Sequence, residues 1–339
     1  VFSSSMWWLD LRHDGNFICL CSKLCDLAAM GKDRLLGLDA LRGIAALLVA
    51  ISHFRGLILE SGYIHPVTLA VDFFFMLSGF IMARTYECQM PKVAAFMVIR
   101  YRRLFPALAV GTALGLLTTD QAYWPYLPLA LLFLPAPDAQ HLFPFNGPAW
   151  SLFCELLANV VHAAILAKLR TRWLIAIFMA MLPGWAIVTA LAAGAATTLY
   201  ALPQALIRTA FAYTMGILIY RIVGDRPNLK VPFALAFAAL TASCLFAPLI
   251  AYPIVIAVVF PLVMIAGMQY KPGRWAHYSG LASYPLYVVN WPIFSLKLPV
   301  AVTLPLVALA TVSAIGFEKV LRRQSGQVRR LPSNESICE

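Results

Sequence analysis

An arginine and a histidine eleven residues apart, Arg42 and His53, lie inside LDALRGIAALLVAISHFRG, a stretch otherwise apolar and long enough to cross a bilayer. Ionisable side chains there are costly to bury and are by default functional. Eleven residues at 100° each make three turns plus about 20°, so the two side chains share a helix face, about 16 Å apart along the axis. A neutral imidazole titrates close to physiological pH and suits proton removal from a hydroxyl. Arg42 is too far away on a straight helix to be its partner. It suits holding an anionic or carbonyl-bearing group, or a structural pair with Asp39 one turn earlier.

The elements that carry these residues follow from composition. The 339 residues are 61% hydrophobic and only 12% charged, with a mean hydropathy of +0.79, against about 25% charged residues in soluble domains. No separate water-soluble catalytic domain has room to fit. The expectation is an all-α polytopic membrane protein of about ten transmembrane helices, near 38–57, 67–87, 103–119, 150–168, 173–193, 201–221, 231–248, 250–268, 277–296 and 299–318. Three segments are expected: 1–35 at the N-terminus, a membrane domain over 36–318, and a basic tail over 319–339. Translation is expected to start at Met30, with an amphipathic arm around Met6 to Leu11 as the competing reading of the preceding stretch.

The short, proline-interrupted run WPYLPLALLFLP reads as a re-entrant or interfacial segment. With it excluded as a span, the clusters Lys92 to Arg103, Lys168 to Arg172, Arg221 to Lys230, Lys271 to Arg274 and the basic tail all fall on one side. That side is the cytoplasm by the positive-inside rule, with both termini there. The net charge of +11 then serves topology and anionic lipid heads and needs no nucleic acid. The long connection from about Thr119 to Pro148 is expected on the outer side, as a lid over a substrate site or as a packed connector. The seven cysteines show no paired metal-ligand spacing, so neither a metal site nor a disulfide framework is expected.

Helix arithmetic places His53, Asp72, Glu155 and Asn290, from four spans, in the same outer third of the bilayer. That agreement favours a carboxylate, Glu155 or Asp72, orienting the imidazole as it takes a proton, over a lone histidine hydrogen-bonding between helices. At the opposite face, Arg100 and Arg103 in IRYRRLFP have the type and position to bind phosphates, or to anchor the span in lipid; Arg102 points elsewhere and reads as surface charge. The chemistry that fits is acyl transfer to a hydroxyl. A transporter is the competing class, weakened by the lack of a persuasive inverted repeat.

Four ordered segments carry a resemblance. LDALRGIAALLVAISHF, VDFFFMLSGFIM, RYRRLFP and NGPAWSLFCEL are similar to the signatures of the acyltransferase 3 family of integral-membrane O-acyltransferases, which includes proteins that decorate exopolysaccharides, lipopolysaccharide O-antigens and Nod factors. The resemblance covers about Leu36 to Glu318. It implies an essential histidine at His53, arginines tied to donor binding at Arg42, Arg100 and Arg103, and the family's acidic residue at Glu155. It also implies a cytoplasmic acyl-CoA donor, acetyl-CoA or another short acyl-CoA, and an envelope glycan acceptor in a bacterial inner membrane, with self-association or glycan-synthesis partners compatible. Trp150 and Ser151 are candidate acceptor contacts, or an interfacial anchor and a helix cap. Asn290 stands where many relatives have histidine; it can orient a substrate but cannot act as a base.

Overall fold

The computed structural model describes residues 34–191, 194–225, 227 and 229–328, with no side-chain description at 318, 319 and 321–328. The expected start at Met30, the arm around Met6 to Leu11 and the end of the basic tail lie outside the described residues.

Eleven helices are formed among the described residues. They are α1 (Leu36–Leu57), α2 (Thr68–Tyr86), α3 (Val93–Gly115), α4 (Leu127–Leu131), α5 (Ala149–Ala164), α6 (Thr171–Leu191), α7 (Leu202–Val223) and α8 (Phe233–Phe246), then α9 (Leu249–Gln269), α10 (Arg274–Ser295) and α11 (Val300–Val328). This is an all-α polytopic membrane protein, but the expected count of about ten spans needs correction: seven helices among the described residues are long and apolar enough to cross a membrane. The three others fall short for separate reasons. Helix α3 has the length but carries Arg100, Arg102, Arg103 and Pro106; α8 has only 14 residues; α10 is interrupted by Pro285 and Pro292 and diluted by Ser, Tyr and Asn. Helix α3 also begins ten residues before the expected boundary, so its arginines lie within the helix instead of at its mouth.

The run from Tyr123 to Pro135 does not cross. It folds as a six-residue 3-10 turn, Gln121–Tyr126, followed by the five-residue α4. The two ends of the 116–148 connector meet, with Thr119 Oγ1 donating to the Pro144 carbonyl at 3.1 Å. Backbone bonds from Leu142 N to Thr197 O (2.9 Å) and Leu199 N to Ala139 O (2.8 Å) join it to the α6–α7 loop. The connector is therefore packed. Its turn is fixed by Asp138, which accepts from the Tyr123 hydroxyl at 2.6 Å and from Gln140 N at 2.8 Å; these donors hold the carboxyl down to about 2. Because the folded value is depressed, this turn's contribution is present above the ordinary carboxylate range and is lost only as pH falls through about 2.

Two close helix pairs build the core. Helices α1 and α10 run parallel, because Arg42 meets Ser283 while His53 meets Asn290 further along both. Side chains at Gly43 and Gly280 would collide with Ser279 and Asp39, so the small residues set this approach. Helices α2 and α7 are equally close, with Gly79 against the Tyr213 carbonyl and Gly216 against that of Met76. Pro292 in α10 has no N–H to give the Val288 carbonyl. The side-chain amide of Asn146, from the end of the connector, donates to that carbonyl at 2.9 Å.

Candidate functional site

A cavity of about 450 Å³ opens among α1, α2, α3, α5 and α10. Arg34, Arg42, Arg84, Arg100 and Arg103 all line it, with Asp39 and Glu155 as the acidic residues and Ser78, Ser151, Ser283, Tyr284 and Tyr287 as hydroxyls. Of the residues expected from sequence, the structure brings Arg42, Arg100, Arg103, Ser151 and Glu155 to this one cavity.

Each charged side chain has a defined seat. Arg42 Nε donates to Ser283 Oγ at 2.8 Å and a terminal nitrogen donates to the Gly280 carbonyl, which ties the guanidinium to α10. Arg34 pairs with Asp39 at the start of α1. Arg100 is buried, and one of its terminal nitrogens donates to Glu155 Oε1 at 2.7 Å. Ser78 Oγ donates to the same carboxylate oxygen at 2.8 Å. The Nε of Arg100 is buried without a hydrogen-bond partner. Arg103 is exposed at the rim, as is Arg102, but only Arg103 belongs to the cavity lining.

At the end of the cavity, the Ser151 and Tyr287 hydroxyls are 2.8 Å apart. One turn beyond Tyr287 on α10 stands Asn290, and its Oδ1 is 2.6 Å from His53 Nδ1. The Asn290 amide nitrogen donates to the carbonyls of Leu286 and Tyr287 at 2.7 and 3.0 Å, which turns the oxygen toward the ring. An amide oxygen only accepts, so the network assigns the imidazole proton to Nδ1 and leaves Nε2 with a lone pair. That is the state a general base requires.

The expected contact between His53 and a carboxylate is replaced by this amide. Glu155 is not involved there: it belongs to Arg100 and Ser78. Asp72 is buried against Arg208 of α7. The contact of Glu155 with Arg100, expected at the opposite face, also corrects the depth expected for Glu155, and each carboxylate faces the helix that brings it a guanidinium. Asn290 likewise holds the histidine. Trp150 is buried edge-on to Phe75 and does not reach the cavity, whereas Ser151 next to it does.

Sequence reasoning passed over several groups. Arg208 was visible as a lone guanidinium in the apolar run LPQALIRTAFAYTMG, the signal already used for Arg42. Ser78 lies in the second signature, and Ser283 and Tyr287 are unremarkable by type. Glu155, Asn159 and His162 recur on one face of α5 at helical spacing, and Tyr213 links the last two: its hydroxyl is 2.9 Å from Asn159 Oδ1 and 3.0 Å from His162 Nδ1. At the helix ends beyond them, Arg221 donates twice to Glu87 at 2.8 Å, and His162 Nε2 lies 3.1 Å from it. Burial pushes the Glu87 carboxyl up, but these partners outweigh it and hold it below the ordinary range.

Residues 35–316 match the family model described as an acyltransferase domain. The chain is also 37% identical to Protein 2 in picA locus of Rhizobium radiobacter, over 39% of this chain and 82% of that protein. No solved structure matches. With the family match spanning the helices that build both the arginine-lined cavity and the His53–Asn290 pair, this chain belongs to the acyltransferase 3 family of membrane acyltransferases.

Proposed function

We propose that the protein transfers a short acyl group, acetyl in the simplest case, from acyl-CoA to a hydroxyl of an envelope or exported carbohydrate. The observation that carries this reading is the arginine-lined cavity ending one helical turn before Asn290, whose amide oxygen holds the Nδ1 of His53. Arg100 and Arg103 bind donor phosphates at the cytoplasmic side of an inner membrane, and Arg42, tied to α10, steadies the donor arm. The acyl-bearing arm passes the Ser151 and Tyr287 hydroxyls, which hydrogen-bond each other and the Pro148 carbonyl.

His53 Nε2 takes the proton of the sugar hydroxyl as its oxygen attacks the thioester carbon. The carbon–sulfur bond breaks, and the imidazolium returns the proton to the departing CoA thiolate. Asn290 orients the base, Glu155 positions Arg100, and Asp72 supports the helix pair instead of touching the reacting atoms.

Donor binding is tested with acetyl-CoA and purified protein. Arg103→Gln is expected to weaken binding about tenfold, as for loss of a charge-assisted hydrogen bond, with Arg102→Gln unchanged. Arg100→Gln should do at least as much, but it also leaves Glu155 unpaired, so Arg103 is the cleaner probe. Equal affinity in all variants overturns the assignment of the cavity to the donor.

The acceptor side is tested in cells. Tags after Glu339 and at Gly224 should report the cytoplasm, and tags near Thr119 and Ala139 the outer side; this topology takes α3, α8 and α10 across the membrane together with the seven more apolar helices. Mass analysis of envelope carbohydrate with and without the protein should differ by one small acyl group. Unchanged glycans with an acylated cytoplasmic metabolite would overturn the carbohydrate acceptor.

A further inference from the structure

The imidazole of His53 stands edge-on to two other rings. Its centroid is 4.9 Å from that of Trp291 and 6.5 Å from that of Tyr63, with an interplanar angle of 83° in both cases. Tyr63 and Trp291 are themselves nearly parallel, 14° apart with centroids separated by 6.2 Å. Tyr63 belongs to the connector between α1 and α2 and is 42% exposed; Trp291 is half-buried.

Two glycines make room for this arrangement. A side chain at Gly56 would run into the Tyr63 ring, and a Cβ at Gly147 would come within 3.1 Å of the Trp291 indole. An aromatic residue that only anchors a span at the membrane interface needs an apolar body and a wet polar tip. It does not need a parallel partner or an edge contact with an imidazole.

We propose that Tyr63 and Trp291 form the binding surface for the pyranose ring of the acceptor. This rests on the reading of the chain as a carbohydrate O-acyltransferase. The face of an aromatic ring is negative, and the axial C–H groups of a pyranose present an apolar, slightly positive face to it. The hydroxyls project from the rim of the sugar, where one reaches His53 Nε2. Such a surface selects cyclic sugars over acyclic polyols, and its distance from the arginines separates acceptor recognition from donor recognition.

The test is equilibrium binding of methyl β-D-glucopyranoside, whose two faces carry only axial C–H groups, read by saturation-transfer NMR on the full chain in nanodiscs free of glycoside detergent. The starting protein is expected to bind it, and glycerol is expected not to compete. Tyr63→Leu and Trp291→Leu should each raise the Kd about tenfold, whereas Tyr63→Phe and Trp291→Phe should stay within about twofold. Acetyl-CoA binding should be the same in all of them. No glycoside binding by the starting protein, equal binding in the leucine variants, or parallel loss of acetyl-CoA binding overturns the aromatic subsite. Glycoside binding that depends on the two rings, with no acylation of any sugar, keeps the subsite and overturns the acyl-transfer reading instead.

Discussion

His53→Ala is expected to lower acyl transfer by about a thousandfold, within the range that a positioned general base supplies, while acetyl-CoA binding stays unchanged. The donor cavity does not include the imidazole, so the loss should fall on kcat and leave the KM for donor intact. Asn290→Ala should have a smaller effect of the same kind, about tenfold to a hundredfold on kcat, because the ring then samples both tautomers and other orientations. Turnover per mole of protein, measured with acetyl-CoA and an accepting glycan, decides both. Near-normal turnover in His53→Ala would remove it as the base. A rise in donor KM without loss of kcat in Asn290→Ala would make that residue part of the cavity wall instead of the histidine's support.

Arg208→Met is expected to cost about 3–5 kcal/mol of stability, the usual penalty for stripping the partner from a buried ion. Both side chains are almost wholly inaccessible, at 2% and 1% of their surface, and one carboxylate oxygen of Asp72 is already without a partner. Replacing both, as Asp72→Leu with Arg208→Met, should recover most of the loss, since apolar side chains can fill the same space without an ion to compensate. Thermal unfolding in detergent measures the single and double variants. Equal midpoints in the single variant and the starting protein would sink the architectural role. A stable double variant without turnover would return Asp72 to the chemistry, as the helix arithmetic had it.

Much of this arrangement was legible in the amino-acid sequence, and the limits have physical causes. Arg42 and His53 stood out because lipid penalises charge, and their shared face follows from the helical repeat alone. The glutamate and arginine segments were identified by resemblance, and Arg100, Arg103 and Glu155 do meet in one cavity. Partner choice was not legible. Depth is one coordinate, and Asp72 at the level of His53 still points to Arg208 because rotation is decided by packing across α2 and α7. Span counting erred where length, charge and polarity diverge: α3 is long but carries three arginines, and α8 is apolar but short. Tyr63 lies in a connector with no period to read, so its approach to His53 emerges only from the folded chain.

The carbonyl that Pro292 leaves open gives the protein a socket. The amide of Asn146 ties the 116–148 connector to α10 through a main-chain acceptor that does not depend on the side chain at Val288, beside the bond from the Tyr287 hydroxyl to the Pro148 carbonyl. Exchange of sequence upstream of Asn146 is therefore constrained by its backbone bonds to the α6–α7 loop more than by the side chains of the helix that holds the base. A graft that keeps this asparagine and the following glycine retains its attachment beside Trp291, so new outer surfaces can be tried on an old catalytic frame. Restoring the missing N–H with Pro292→Ala would close the socket by giving Val288 a helical donor of its own.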